Sequence, residues 1–409
     1  MNPKAILLAA LLALPLAAAN TCADCHTDQG EAFKQDVHAR HGFDCTACHG
    51  GDAAAEDQDA SMSKRKGFTG KPARTAVPKL CARCHSDANL MHRFKPQQRV
   101  DQFTLYQTSV HGKKLAAGDT AVANCVDCHS VHNIREVRDG QSPVHPLRLP
   151  QTCARCHADP AHMAKYKIPT NQFAQYTKSV HWAAVAQRGD LSAPTCASCH
   201  GNHGATPPQV SSVSAVCGTC HVVMENLYNQ SPHKTPFAGM GQGGCTVCHG
   251  NHEIHKPSEA MLAGTGAVCA ECHEADSPGG KTAAQMAGLL GRLRSGLDRA
   301  DAALTLARNS GMEVSEAQLR QMEGREALIK AQVAVHAFRL GEVEKPAKEG
   351  LAIAGEGVVA GQHALKERDT RRFGLGVFLI TALISMAGLW LLIRAIESQP
   401  EAAPRTIER

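Results

Sequence analysis

Aromatic residues are scarce in this sequence: Phe, Tyr and Trp together make up 4% of 409 residues, and only two are Trp. Charge of one sign is also scarce, with a formal net charge of +5 and no long basic run. Nucleic-acid binding needs a basic surface, often with aromatic stacking platforms, so nucleic acid is not expected as a partner. A third thing missing is a cysteine with nothing to do. All 18 cysteines fall in nine Cys-x-x-Cys-His units, which leaves none for a disulfide or a free thiol.

The units begin with Cys22, Cys25 and His26, then Cys45, Cys48 and His49, then Cys81, Cys84 and His85. Next come Cys125, Cys128 and His129, Cys153, Cys156 and His157, and Cys196, Cys199 and His200. The last three are Cys217, Cys220 and His221, Cys245, Cys248 and His249, and Cys269, Cys272 and His273. Two thiols separated by two residues reach both thioether positions on one porphyrin edge, and the adjacent histidine then lies under the iron. A zinc ribbon also uses paired cysteines but has no need of a histidine at the next position, and here that histidine follows every pair. The expected cofactor is nine covalently attached haem c groups. From Cys22 to His273 there are about 28 residues per haem, too few for separate folded shells. The haems are therefore expected to share one core, wrapped by loops and short helices.

Such attachment requires export. Residues 1–19 read as a signal peptide: a positive start at Lys4, an apolar run from Ala5 to Leu16, and small residues Ala17 to Ala19. A second apolar run, Gly374 to Ile393, holds 20 residues without a charge, enough to cross a bilayer core as a helix. The flanking charges, Lys366, Arg368, Arg371 and Arg372 before it and Arg394 after it, would by themselves place the preceding domain in the cytoplasm. The leader and the haem motifs outweigh that statistical bias, and the domain is expected in the periplasm.

An internal repeat organises the middle of the chain. The segment from Gln102 to Gly112 returns as Gln172 to Trp182 and more weakly as Leu227 to His233. Each copy is followed by a CxxCH with a further histidine three residues on, and then by another CxxCH. The unit is S-x-H, CxxCHxxH, CxxCH, with two haems and two spare histidines. An incomplete first unit has His38 upstream, but carries Asp52 where the later units have His132, His203 and His252. The upstream histidines His38, His111, His181 and His233 and the downstream His132, His203 and His252 are the candidate distal ligands. A residue three positions from a proximal ligand reaches at most about 10 Å, so each downstream histidine must serve a neighbouring haem. Two axial imidazoles leave no open coordination site, which suits relay of electrons.

His41, His92, His145, His162 and His255 compete for the remaining places, with His92 ranked first because it follows the Cys81 motif in the same short loop. His336 falls on the apolar stripe of Met322, Ile329, Val333 and Leu340 and is expected as a satisfied core histidine; His363 is expected in solvent. Tyr106, Tyr176 and Tyr228, each five residues before a candidate ligand, are expected to pack on porphyrin edges or to act as spacers. Residues 52–78 are expected as an exposed loop.

Beyond the last motif the composition turns to Ala, Leu, Glu and Arg with helical periodicity. One helix is expected over about Thr282 to Asn309. A second opens at Ser315 with Gln318 as a capping-box partner and ends near Gly341, and a third starts at Pro346. The fold class is a mostly irregular or α multihaem cytochrome: a haem-packed core with short helices, then an antiparallel helical stalk and one transmembrane helix. The expected domains are the signal peptide (1–19), a nine-haem domain (20–280), the stalk (281–372), the transmembrane helix (373–394) and a cytoplasmic tail (395–409).

The repeated Y-x-x-S-V-H, CxxCHxxH and CxxCH pattern, at Tyr106, Ser109, His111, Cys125 to His132 and Cys153 to His157 and again at Tyr176, Ser179, His181, Cys196 to His203 and Cys217 to His221, resembles the doubled-CxxCH, class III-like multihaem cytochromes c. The resemblance implies bis-histidine haems in close pairs and electron traffic between a quinone-linked membrane partner and periplasmic or extracellular redox partners. Direct quinol oxidation by this chain is not implied, since its anchor is C-terminal. The competing class is a reductase of a small molecule such as nitrite, hydroxylamine or a sulfur oxyanion, with one open haem.

Overall fold

Residues 20–204, 213–241 and 243–398 are described by a computed structural model; the expected leader and residues 399–409 of the expected tail lie outside them. The structure is helical, with no strand among the described residues. It divides into two compact units. One contains the chain up to Cys220 together with Cys245–Lys256; the other contains His221–Gly244 and the chain from Pro257 onward.

In the first unit no helix exceeds nine residues. Most CxxCH motifs sit on a helical turn, as in Thr46–His49, Cys125–His129 and Cys196–His200. Positions i, i+3 and i+4 of a helix share one face, so this local fold points both thiols and the histidine the same way. The second motifs of the first two repeats end longer helices, Val77–His85 and Leu149–His157, each with a proline in its first turn. Proline suits that place because its missing N–H has no partner there to lose.

The chain turns sharply after the first motif of each unit. Gly50, Gly201 and Gly250 take positive φ there, at 66°, 77° and 69°. Ser130 occupies the same place with φ 74° and ψ −177°, a conformation almost confined to glycine. The expected loop 52–78 contains two short helices, Gln58–Ser61 and Lys64–Lys66. It also holds an anchor: Arg74 donates to the Asp127 carboxylate at 2.6 and 3.2 Å and to the carbonyls of Thr120 (2.8 Å) and Val122 (3.0 Å).

The second unit carries the stalk. Its three helices are Pro278–Asn309, Ser315–Ala334 and Leu340–Glu397, and each packs on the other two. Both apolar clusters found among the described residues lie here, the larger built on Met286, Leu290, Leu293, Leu297, Val343 and Ala347.

Three expectations about the stalk need correction. The second helix begins after Val314 without a side-chain cap, and Ser315 N instead donates to Glu313 Oε1 at 2.8 Å. The third helix starts six residues before Pro346 and runs through it, because Val343 and Ala347 are fully buried on either side. Their packing outweighs the roughly 3 kcal/mol that an interior proline costs. Finally, Met322 and Ile329 are 66% and 59% exposed, so the large apolar residues do not face the core. The buried seam of that helix is Gln321, Gly324, Ala327 and Ala331. Small residues are selected because the helices approach closely: a Cβ on Gly361 would lie 2.7 Å from Ala303 Cβ.

The third helix continues into a run, from Phe373 to Ile396, whose large apolar side chains are about half or more exposed. By length and composition this helix is able to cross a membrane.

Candidate functional site

The structure brings the motif histidines together in pairs. An imidazole nitrogen binds a metal at about 2.0–2.1 Å and lies roughly 1.1 Å from its ring centre, so two rings on opposite sides of one metal have centres about 6.2 Å apart. Six pairs meet that spacing. His38 and His85 have ring centres 5.9 Å apart, His111 and His157 6.1 Å, and His233 and His273 5.9 Å. His49 and His132 are 6.1 Å apart, His129 and His203 6.1 Å, and His200 and His252 6.0 Å. Every pair joins a motif histidine to a repeat histidine.

Two rules emerge. Each upstream histidine in these pairs faces the second motif of its own unit, with ring planes crossed at 82°, 59° and 88°. Each downstream histidine reaches back to the first motif of the preceding unit, with planes at only 34°, 5° and 21°. The sequence argument that these histidines cannot serve their own haem agrees with this placement.

The residue two before each upstream histidine fixes it. Ser109 Oγ accepts from Gly112 N at 3.0 Å, Ser179 Oγ from Trp182 N at 3.1 Å, and Ser231 Oγ from His233 N at 3.3 Å. Asp36 does the same in the first unit, accepting from His38 N at 2.9 Å. Sequence reading missed Asp36 as the counterpart of these serines. Its other contacts bind the unit together: Oδ1 lies 2.8 Å from His38 Nδ1 and Oδ2 accepts from Ile134 N at 2.7 Å. Burial pushes this carboxyl up, but the bonds from His38 and Ile134 outweigh it and hold the group below its ordinary value. An ionised Asp36 accepts a hydrogen bond from Nδ1–H of His38, which leaves Nε2 with the lone pair that can ligate. His49 is oriented likewise, with Nδ1 2.9 Å from Gly70 O.

Burial keeps the rings neutral. It pushes His85, His111, His157, His200 and His203 below the ordinary imidazole value, and it takes His129, with His203 and His85 adding to the effect, down to about 4. Neutral imidazole is the form that binds metal.

Motifs are also held against each other. Arg83, inside the third motif, donates to Ala47 O of the second at 3.0 Å, and Arg155 of the fifth donates to Asp127 O of the fourth at 2.6 Å. Thiols of successive motifs lie near each other: Cys22 by Cys45, Cys48 by Cys81, Cys81 by Cys125, Cys128 by Cys156, Cys153 by Cys196, and Cys199 by Cys220. The first seven motifs thus form one file in chain order.

The tyrosines hold loops. Tyr106 Oη donates to Ala123 O and Tyr176 Oη to Pro194 O, both at 2.8 Å, pinning the backbone two residues before Cys125 and Cys196. Burial, with nearby Cys125 and Asp127, pushes the Tyr106 phenol up to about 12, so it stays a donor.

The spare histidines have other company. His92 is exposed with Nε2 3.2 Å from Gln98 O, and His41 packs edge-on to Phe94. His145 is buried and accepts from Leu147 N at 3.3 Å, His162 lies by Tyr166, and His255 is 3.3 Å from Glu253. His181 sits in the same capped position as His111, and His363 is exposed. His336 lies at a short turn, Val335–Ala337, that packs on the helix Val222–Asn229, capped by His221. Its Nδ1 is 3.0 Å from Val333 O. Two residues on, the Phe338 ring centre lies 4.0 Å from that of His233, with the planes tilted at 52°.

These residues fit haem. The paired rings have the spacing of two ligands on one metal, and among the described residues no three His, Cys, Asp or Glu side chains converge as a zinc ribbon requires. The first unit contributes to neither apolar cluster, and Val110 and Val131, beside His111 and His132, are 62% and 53% exposed. Apolar cofactor surface is what such side chains would cover.

A family model described as cytochrome c3 matches residues 37–158 and 189–274, just over half of the chain. No curated protein and no solved structure matches. The match covers eight of the nine motifs, from Cys45 to His273, and leaves out the leading motif, residues 159–188 with His181, and the stalk. With its repeated motifs and paired histidines, the chain belongs to the cytochrome c3 family of multihaem electron-transfer cytochromes.

Proposed function

We propose that this chain is a membrane-anchored periplasmic cytochrome carrying nine haem c groups, one per CxxCH motif, that passes electrons between a quinone-linked membrane partner and periplasmic or extracellular redox partners. The six histidine pairs at the spacing of two ligands on one metal, with the first seven motifs following one another in chain order, are the observation that carries this reading. Haem iron supplies reversible one-electron exchange.

The chain's own residues do the rest. The eighteen cysteines attach the porphyrins, and the nine motif histidines take the proximal places. His38, His111, His132, His203, His233 and His252 take six distal places in the pairs above, and His181, by its equivalent cap, is a seventh candidate. His336 joins the set because it lies on the turn that packs on the helix headed by His221, with its Nδ1 3.0 Å from Val333 O; His92, the sequence candidate for the remaining place, has its Nε2 3.2 Å from Gln98 O. Asp36 and the three serines orient the upstream ligands, and Arg83 and Arg155 fix the spacing between motifs. The leader (1–19) directs export. The apolar end of the third stalk helix anchors the chain in the cytoplasmic membrane.

The test is to purify the full-length protein from membranes, count haem per chain, and mix the oxidised protein with quinol in vesicles containing candidate membrane subunits. Nine haems per chain and reduction that depends on such a subunit are expected. A count well below nine, or reduction blind to every membrane partner, would sink the reading.

A further inference from the structure

Position 52 breaks the repeat, and the structure identifies which haem this affects. In the later units the residue three after the first motif's histidine reaches back, His132 to His49, His203 to His129 and His252 to His200. The segment just beyond it docks on the preceding unit. Ile134 O accepts from Val37 N at 2.7 Å and Ile254 O from Val180 N at 2.9 Å.

The first unit docks on the leading motif itself, one residue earlier in register. Ala53 O accepts from Thr21 N and Thr21 Oγ1, both at 2.9 Å, and Ala55 O accepts from Thr21 Oγ1 at 2.6 Å. Thr21 immediately precedes Cys22, so position 52 lies beside the start of the leading motif, Cys22 to His26. The residue there is Asp52, which is ion-paired with Lys66 and accepts from Ala54 N at 3.0 Å. Among the described residues no imidazole pair includes His26. The spare histidines His41, His92, His145, His162 and His255 are each engaged elsewhere.

We propose that the leading haem, held by Cys22, Cys25 and His26, has an exchangeable sixth position open to a small exogenous ligand. His26 is exposed, so such a ligand has access from solvent. The leading motif also lies outside the residues that match the family, so its ligation need not follow theirs.

This proposal rests on haem attachment at all motifs, and the two fail on different readouts: the first on haem count, the second on spin state. Electron paramagnetic resonance of the oxidised full-length holoprotein is expected to show a high-spin ferric signal of about one haem in nine, converted to low-spin by potassium cyanide. Removing the leading haem with Cys22→Ala and Cys25→Ala is expected to leave one haem fewer and no high-spin signal. Asp52→His is expected to keep every haem and lose the signal. Low-spin haem throughout the wild type, or a high-spin signal that survives loss of the leading haem, overturns the proposal.

Discussion

Replacing His203 with alanine tests the rule that downstream histidines serve the preceding unit. His203 lies three residues after His200, yet its ring faces His129, 6.1 Å away with planes only 5° apart. Both rings are partly buried, which pushes each below the ordinary imidazole value and keeps it in the neutral form that ligates. Loss of one distal ligand converts one haem, so low-spin intensity falls by about one part in eight and the high-spin signal grows by about one haem. The near-parallel planes sharpen the assay. Low-spin haems with parallel ligand planes and those with crossed planes give different electron paramagnetic resonance lines, and the loss is expected in the parallel class. His111→Ala, whose pair is crossed at 59°, is expected to deplete the other class. The location follows from a second round: in a protein lacking the Cys125 and Cys128 thiols, His203→Ala adds no high-spin haem, whereas in one lacking Cys196 and Cys199 it still does. If the pattern is reversed, the histidine serves its own motif and the pairing rule is wrong.

Other perturbations read other links. His336→Ala is expected to convert a further haem to high spin, visible in the same spectrum, whereas a core histidine would change only the melting temperature. Ser130→Gly is expected to stabilise the holoprotein by about 1–2 kcal/mol in thermal melts, because it relieves a glycine-type backbone at φ 74°. Gly361→Ala puts a Cβ 2.8 Å from the Ala303 carbonyl carbon and is expected to cost the stalk about 1–3 kcal/mol, read as a lower urea midpoint. Glu259 accepts from Arg294 at 2.7 and 3.1 Å; burial pushes the carboxyl up, but Arg294 outweighs it and holds the group below its ordinary 4.5. A lowered folded value means that stabilisation is present above pH 4.5 and lost as pH falls through the lowered one. Glu259→Gln should flatten that acid slope by up to about 1 kcal/mol, the ceiling for a half-exposed pair.

What was legible in the sequence was chemistry at short range. A CxxCH motif is complete within five residues, and the S-x-H and CxxCHxxH spacings repeat with little change, so cofactor, ligand set and the reach to a neighbouring haem followed from covalent geometry. Equivalence between different residue types was harder to see. Asp36 caps His38 as Ser109 caps its own helix, because a carboxylate and a hydroxyl both accept from an amide; only the observed bond, at 2.9 Å, reveals the match. Recognising it makes the first unit complete on its upstream side and isolates Asp52 as the true departure. The stalk misled for an opposite reason. Periodicity weighs residues by hydrophobicity and picked Met322 and Ile329, but a close helix crossing selects for small volume, and Gly324, Ala327 and Ala331 won the buried face. That seam brings the Val335–Ala337 turn to the helix after His221, so His336 meets the haem-binding residues through packing that no local motif encodes. A ligand supplied in this way would couple stalk and redox site: a change that loosens the seam at Gly324, where an added Cβ would lie 2.7 Å from Leu297 Cδ2, should then also shift the balance of low and high spin that His336→Ala changes, while Ser130→Gly should leave it untouched.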